Sequence, residues 1–242
     1  MRFVAIIPAR YASTRFPQKP LAKILGKPMI LWVAELTAKA VGSENTYVAT
    51  DNEAIKSVVE GAGFQAVMTS SDAMTGTDRI AEAAEQIEAD YYINVQGDEP
   101  MLDPASILKV INYAEKHAGS IVNCYAPIGA DEDPNDVNLP KCVLASDGRL
   151  LYMSRAALPA FKESSKCPAE LFKQVCIYAF TREHLLAFSR ATQKAPSEQH
   201  EDIEILRFLD MGYEVRMIQV PGDTLAVDEP DQVRLVESRL ML

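Results

Sequence analysis

The chain has 242 residues, 48% of them hydrophobic, with a formal net charge of −10 and a pI near 4.9. That suits one large α/β domain or a domain with a subdomain, and the acidity argues against nucleic acid as partner, because a phosphate-backbone binder needs a broad basic face. No apolar run approaches the roughly 18 residues of a membrane span, and the first is too short for a signal-peptide core, so a cytoplasmic protein away from membranes is expected.

The first predicted element is Phe3 to Ile7, a fully apolar run ending at Pro8, as in a buried strand of a parallel sheet. A loop with Arg10, Arg15 and Lys19 follows, where open α/β sheets bind ligands. From Met1 to Ala34 there are six basic residues and no acid. Three cations on one loop repel each other unless an anion sits among them, so a polyphosphate is the natural ligand, with a solvated basic loop as the plain alternative. Lys27-Pro28-Met29 opens a helix that Gly42 ends, and Thr46 to Thr50 is a strand. Asp51 is read as the N-cap of a helix through Val59, closed by Gly61 and Gly63. Phe64 to Met68, Thr77 to Glu88 and Tyr91 to Val95 continue as strand, helix and strand. This alternation implies right-handed crossovers and a largely parallel sheet.

Two polar loops share the ligand edge. Gln96-Gly97-Asp98-Glu99-Pro100 follows a buried strand; Asp98 is placed to hold Mg²⁺ against phosphate oxygens, or is part of an ordinary turn, and Gly97 permits close approach to a ligand. In Thr75-Gly76-Thr77-Asp78-Arg79, Thr77 is the expected N-cap and the helix start would present free N–H groups.

The acidic stretch Asp131 to Asp136 leads into a more antiparallel region. Lys141 to Ala145 and Arg149 to Met153 flank the hairpin signal Ser146-Asp147-Gly148, and Ser154-Arg155 follows. Gln174 to Phe180 is a strand in which Tyr178 is core or ligand. Helices over Thr181 to Arg190 and Glu198 to Leu209, a strand over Tyr213 to Val220 and a final helix complete the chain. Asp228 is either that helix's N-cap or a second metal carboxylate. Walker A and GxGxxG motifs are absent, and His117, His184 and His200 lack metalloprotease spacing. Cys124, Cys142, Cys167 and Cys176 lack CxxC spacing and read as packing thiols. Phosphate chemistry with loop cations and carboxylate-held Mg²⁺ remains.

Ile7-Pro8-Ala9-Arg10-Tyr11-Ala12-Ser13-Thr14-Arg15-Phe16-Pro17 through Lys19-Pro20-Leu21, then Val48 to Asp51, Gly76 to Arg79, Asn94 to Pro100 and Val227 to Asp231, resemble the CMP-Kdo synthetases. These are the 3-deoxy-manno-octulosonate cytidylyltransferases, which include a variant acting on the 8-amino-8-deoxy sugar. The resemblance implies one nucleotidyltransferase domain over residues 1–242, a three-layer, Rossmann-like α/β fold with a mostly parallel sheet and a smaller antiparallel subdomain. Residues of about 131–180 would form the sugar-binding and dimerisation region. It implies a Mg²⁺-dependent homodimer that couples CTP to a 3-deoxyoctulosonic acid, giving the CMP-sugar and pyrophosphate for lipopolysaccharide. Pro8, Ala9, Arg10, Ser13, Arg15, Lys19, Gly76, Thr77, Arg79 and Gln96 fall at nucleotide positions, with Arg10, Arg15 and Lys19 as the catalytic cations. Asp98 and Asp228 resemble the Mg²⁺ carboxylates; Arg155, Gln174, Tyr178 and Glu204 fall at sugar positions.

Of three departures from the family pattern, two fall at sugar-contact positions, and Ile205 removes a hydrogen-bonding side chain that a sugar hydroxyl could use. The family usually has His at Gln174, Gly at Cys176 and Gln at Ile205. Gln174 offers an acceptor where an imidazolium would repel an ammonium, which raises the 8-amino sugar beside Kdo itself. A cytidylyltransferase for another sugar acid, such as a sialic acid, and a silent nucleotide-sugar binding protein are the alternatives.

Overall fold

The computed structural model describes residues 1–12, 16–163, 170–222 and 224–241. Its strands are β1 (Phe3–Ala9), β2 (Lys23–Ile24), β3 (Lys27–Pro28), β4 (Thr46–Thr50), β5 (Gln65–Met68), β6 (Tyr91–Val95), β7 (Ile121–Pro127), β8 (Lys141–Leu144), β9 (Leu150–Ser154), β10 (Phe172–Thr181) and β11 (Val215–Gln219). The helices are α1 (Met29–Val41), α2 (Glu53–Gly61), α3 (Gly76–Gln86), α4 (Pro104–Lys116), α5 (Arg182–Ser189), α6 (Pro196–Glu201), α7 (Ile205–Asp210) and α8 (Pro230–Leu240).

The main sheet runs β11-β7-β10-β6-β1-β4-β5. Its strands are parallel except β10, which lies antiparallel between β6 and β7. Successive residues of a strand face opposite sides of the sheet, and β1 divides its side chains accordingly. Val4 and Ile6 enter a core with Ile80, Leu185, Phe188 and Phe208, while Ala5 and Ile7 enter one with Ile30, Val33, Ile55 and Val110. Helices α3, α5 and α7 therefore cover one face and α1, α2 and α4 the other, giving the expected three layers. The β8–β9 hairpin continues from β10 within the same sheet, so the antiparallel region is an extension of the main sheet.

Several boundaries differ from the sequence reading. The N-cap of α2 is Asn52, whose Oδ1 accepts the Ala54 N–H at 2.8 Å, and not Asp51. Thr75, not Thr77, caps α3, accepting from Asp78 N at 3.2 Å. The expected helix from Glu198 to Leu209 is broken at Asp202, whose φ of 51° and ψ of 49° are left-handed, a conformation Asp tolerates better than most residues. Helix α8 is capped by Glu229, so Asp228 is not its N-cap. Helix α4 and strand β7 lie in a stretch for which the sequence reading proposed no element.

Candidate active site

The loops after β1 and β6 meet at the carboxyl edge of the sheet because the strands are neighbours in parallel. Gly97 makes the meeting possible: a Cβ there would stand 3.0 Å from the Pro8 carbonyl oxygen. It lets the loop after β6 pack against the end of β1, and Gly97 also lines the cleft, where a ligand could approach its backbone. The Val227 N–H donates to the Asp98 carbonyl at 2.9 Å, drawing the segment before α8 to the same point.

Lys19 lies at the centre. It follows Gln18, itself left-handed at φ 55°, and its Nζ is 2.7 Å from Asp98 Oδ2 and 3.1 Å from Asp228 Oδ1. Burial disfavours its ammonium, but Asp98 and Asp228 outweigh burial and raise the Lys19 pKa above its ordinary value. One cation from the acid-free N-terminal stretch thus bridges two carboxylates distant in sequence. The two carboxylate oxygens lie no farther apart than these two bonds laid end to end, and hard oxygen donors of this kind suit Mg²⁺ when phosphate oxygens complete the shell. Among the described residues no group of three or more acidic, His or Cys side chains gathers as a metal cage. Beside Asp98, burial first and the neighbouring carboxylate second push Glu99 up to about 7, with Thr224 Oγ1 donating to it at 2.8 Å.

A cleft of about 300 Å³ opens over this group, lined by Pro8, Ala9, Arg10, Lys19, Gly76, Arg79, Gln96, Asp98, Glu204 and Asp228 among others. Gly76 is packed so closely that an added Cβ would come within 3.4 Å of Gln96, Pro8 and Glu204. Arg10 is exposed at the rim. Arg79 is buried, its guanidinium donating to Thr69 Oγ1, the Ser70 carbonyl and Asp51 Oδ2. The other Asp51 oxygen accepts the Tyr11 N–H at 3.0 Å, anchoring the start of the basic loop. Asp51 is therefore a tie between loop and Arg79. Ser13 and Arg15 lie outside the described residues.

The sugar-position residues divide. Glu204 lines the cleft, but its carboxylate accepts from Gly76 N at 2.9 Å, Thr77 N at 2.8 Å and Thr77 Oγ1 at 2.5 Å. The N–H groups expected to be free at the start of α3 are filled by this side chain, a favourable placement against the helix dipole. Burial still lifts the Glu204 pKa, against the pull of those three donors. Gln174 and Tyr178 stand behind the cleft wall on β10, Gln174 Nε2 donating to Asn123 Oδ1 and Tyr178 OH at 3.0 Å each. Tyr178 opposes Asn94 on β6, and Gln96 Nε2 lies 3.4 Å from Asn94 Oδ1. Arg155 also stands outside the wall, donating to the carbonyls of Glu201, Asp202 and Val137 and so holding the α6–α7 corner. Ile205 is 1% exposed in the core, which corrects the view that it stands where a sugar hydroxyl could reach it.

Two charged cleft residues escaped the sequence reading. Lys194 and Asp202 line the same cleft and pair at 2.7 Å. Neither belongs to a recognisable motif. The break in the helix that presents Asp202 is set by tertiary contacts of Arg155 and Glu204, which no local pattern reports.

Comparison with known proteins agrees with this geometry. The profile of the cytidylyltransferase family matches residues 4–218. A protein of Shewanella halifaxensis described as an 8-amino-3,8-dideoxy-manno-octulosonate cytidylyltransferase is 42% identical, with 99% of each chain covered. One of Shewanella oneidensis with the same description is likewise 42% identical over 99% of each chain. A solved CMP:2-keto-3-deoxy-manno-octonic acid synthetase complexed with CTP superposes with a TM-score of 0.91 at 34% identity, covering 100% of this chain and 99% of that one.

Proposed function

This chain belongs to the cytidylyltransferase family, and on that premise we propose that it transfers the cytidylyl group of CTP to a 3-deoxyoctulosonic acid of the Kdo type, with the 8-amino-8-deoxy sugar preferred. The observation that carries the reading is Lys19 held between Asp98 and Asp228 at the floor of a cleft rimmed by Arg10 and the start of α3. That arrangement suits a triphosphate, whose charge grows on the leaving pyrophosphate as the anomeric hydroxyl attacks the α-phosphorus.

In this reading the new bond joins the anomeric oxygen to the α-phosphorus, the bond between α-phosphorus and its bridging oxygen to the β-phosphorus breaks, and the hydroxyl proton leaves to solvent. Lys19 and Arg10 bind phosphate oxygens. Asp98 and Asp228 would hold Mg²⁺, which supplies further neutralisation of the phosphates. Arg15 and Ser13 are proposed as further members of the phosphate loop. Gln96 and Gly76, packed together with Pro8, form the nucleotide wall. Arg79 acts from behind it through Asp51 and the basic loop.

The aminated sugar is favoured by Gln174 indirectly, from behind the cleft wall, where the family's usual His could set a cation. Both amide hydrogens are directed at Asn123 and Tyr178, so what it has left to offer is its carbonyl acceptor. The family members named for the 8-amino sugar also show higher identity than the solved Kdo enzyme. A cytoplasmic homodimer serving lipopolysaccharide synthesis completes the proposal. No helix among the described residues is long and apolar enough to cross a membrane, and exposed Val137, Leu151, Tyr152 and Phe161 give residues 131–180 an apolar surface suited to a second copy.

The test is pyrophosphate release at fixed CTP across a panel of the 8-amino sugar, Kdo and a sialic acid. The expected result is kcat/KM at least about tenfold higher for the 8-amino sugar than for Kdo, a difference of ~1.4 kcal/mol. Equal use of the two sugars, or a preference for Kdo, would refute the assignment of the sugar. Silence with every sugar would favour a binding protein.

A further inference from the structure

Four carboxylates line the cleft: Asp98, Asp202, Glu204 and Asp228. Three are committed. Asp98 and Asp228 share the Lys19 ammonium, and Glu204 is filled by three donors from the start of α3. Asp202 is different: its side chain is 75% exposed and, among the described residues, its carboxylate carries only Lys194 Nζ, at 2.7 Å. Lys194 Nζ in turn makes no other hydrogen bond among the described residues.

We propose that Asp202 is the specificity-determining residue that receives the ammonium of the aminated sugar, with Lys194 as its placeholder. The inference rests on the proposed reading of the substrate as an amino sugar acid. The pair already shows that this carboxylate accepts a primary ammonium within the cleft wall at hydrogen-bonding distance. Binding exchanges one ammonium for another, so no charge is left unpaired in the cleft. Exposed ion pairs are individually weak, which makes Lys194 cheap to displace. Room for the displaced side chain lies on its far side, where Lys194 also borders an open groove with Met74, Gln199 and His200. An unaminated sugar brings a hydroxyl to the same place; it gains no charge-assisted bond and has no means of displacing Lys194.

The backbone fixes this carboxylate in place. Asp202 is left-handed, at φ 51°, and Arg155 Nη2 holds its carbonyl at 3.0 Å. Arg155 thus acts on the sugar end as a positioning residue, through the corner that carries Asp202. The Lys194 hydrogen bond keeps the Asp202 carboxyl below its usual range, so it is ionised at neutral pH.

The experiment measures kcat/KM for the 8-amino sugar and for Kdo at saturating CTP, in the wild-type enzyme, Asp202→Asn and Lys194→Gln. Asn tolerates the left-handed backbone, so the first variant keeps the corner. The expected result is that Asp202→Asn lowers the ratio of the two kcat/KM values several-fold, through the KM of the amino sugar, and that Lys194→Gln raises it by removing the competing ammonium. A wild-type preference for the amino sugar that survives Asp202→Asn, or an equal loss on both sugars, overturns the role of Asp202 and leaves the substrate assignment standing. A wild-type enzyme that prefers Kdo overturns both.

Discussion

At the scale of single residues, the site turns on one ammonium serving two carboxylates. Removing Lys19 would leave Asp98 and Asp228 facing each other without their bridging cation. Lys19→Ala is therefore expected to lower kcat at saturating sugar by about 10²–10³, the size of a lost transition-state donor, and an effect confined to the sugar KM would contradict its place beside the triphosphate. Asp98→Asn and Asp228→Asn keep the side-chain volume and remove a charge, so each should raise the Mg²⁺ concentration needed for half-maximal rate with little change in thermal stability. Near-normal Mg²⁺ dependence in either variant would remove that residue from the metal proposal. Lys19 was legible from the acid-free basic stretch and Asp98 from its place just beyond an apolar strand, where α/β sheets gather ligands, whereas Asp228 was open between helix cap and metal carboxylate until the family resemblance favoured the second. Glu204 was legible only through the family resemblance, as a sugar-position residue. Its attachment to Gly76 and Thr77 crosses 127 or 128 positions, and no local pattern carries that information.

At the scale of elements, α6 and α7 grip the first turn of α3 at two points. Glu204 fills its N–H groups, and Arg207, 1% exposed, reaches Asp78 in the same turn at 2.9 Å and Glu198 of α6 at 2.6 Å while stacking on Phe188. Asp78 also accepts from Thr75 Oγ1 at 2.7 Å, so the pull on Asp78 reaches the cleft wall. Arg207→Ala leaves two buried carboxylates without their partner and is expected to cost about 3–5 kcal/mol, as is usual for a broken buried pair. Urea unfolding measures this, and a loss under ~1 kcal/mol would mean that the ion cluster does not hold these elements together. The sequence reading placed one helix across this region because Glu198 to Leu209 has no Gly or Pro to break it. The break at Asp202 comes from tertiary contacts that outweigh propensity, and it puts Asp202 and Glu204 at the cleft.

At the scale of the whole molecule, the acid-free N-terminal stretch brings positive charge to a protein of net charge −10, and the fold spends part of it on acids from residues 98 and 228. The three layers were legible because β1, β4 and β6 are short, mainly apolar runs with helical stretches between them. The antiparallel insertion of β10 was not, since a buried strand reads the same in either direction. The buried site edge has a thermodynamic consequence. Glu99 keeps its proton to about pH 7 when folded, against about 4.5 when unfolded. Between those values the folded state binds more protons, so stability present below the lower value is lost as pH rises through the upper one. The span is worth roughly 3 kcal/mol at most, at 1.36 kcal/mol per unit. Glu99→Gln should flatten the fall in Tm across that window and raise Tm above it; an unchanged slope would show that Glu99 does not titrate as its burial requires.

The central claim is that the cleft joins CTP to a sugar acid through the α-phosphorus. Phosphorus NMR of the wild-type enzyme with CTP, Mg²⁺ and the 8-amino sugar tests it most directly. The account predicts that the three CTP resonances give way to one phosphodiester resonance of a CMP-sugar and to pyrophosphate, in equal amounts. CTP left intact, or split to CDP and phosphate, would contradict it.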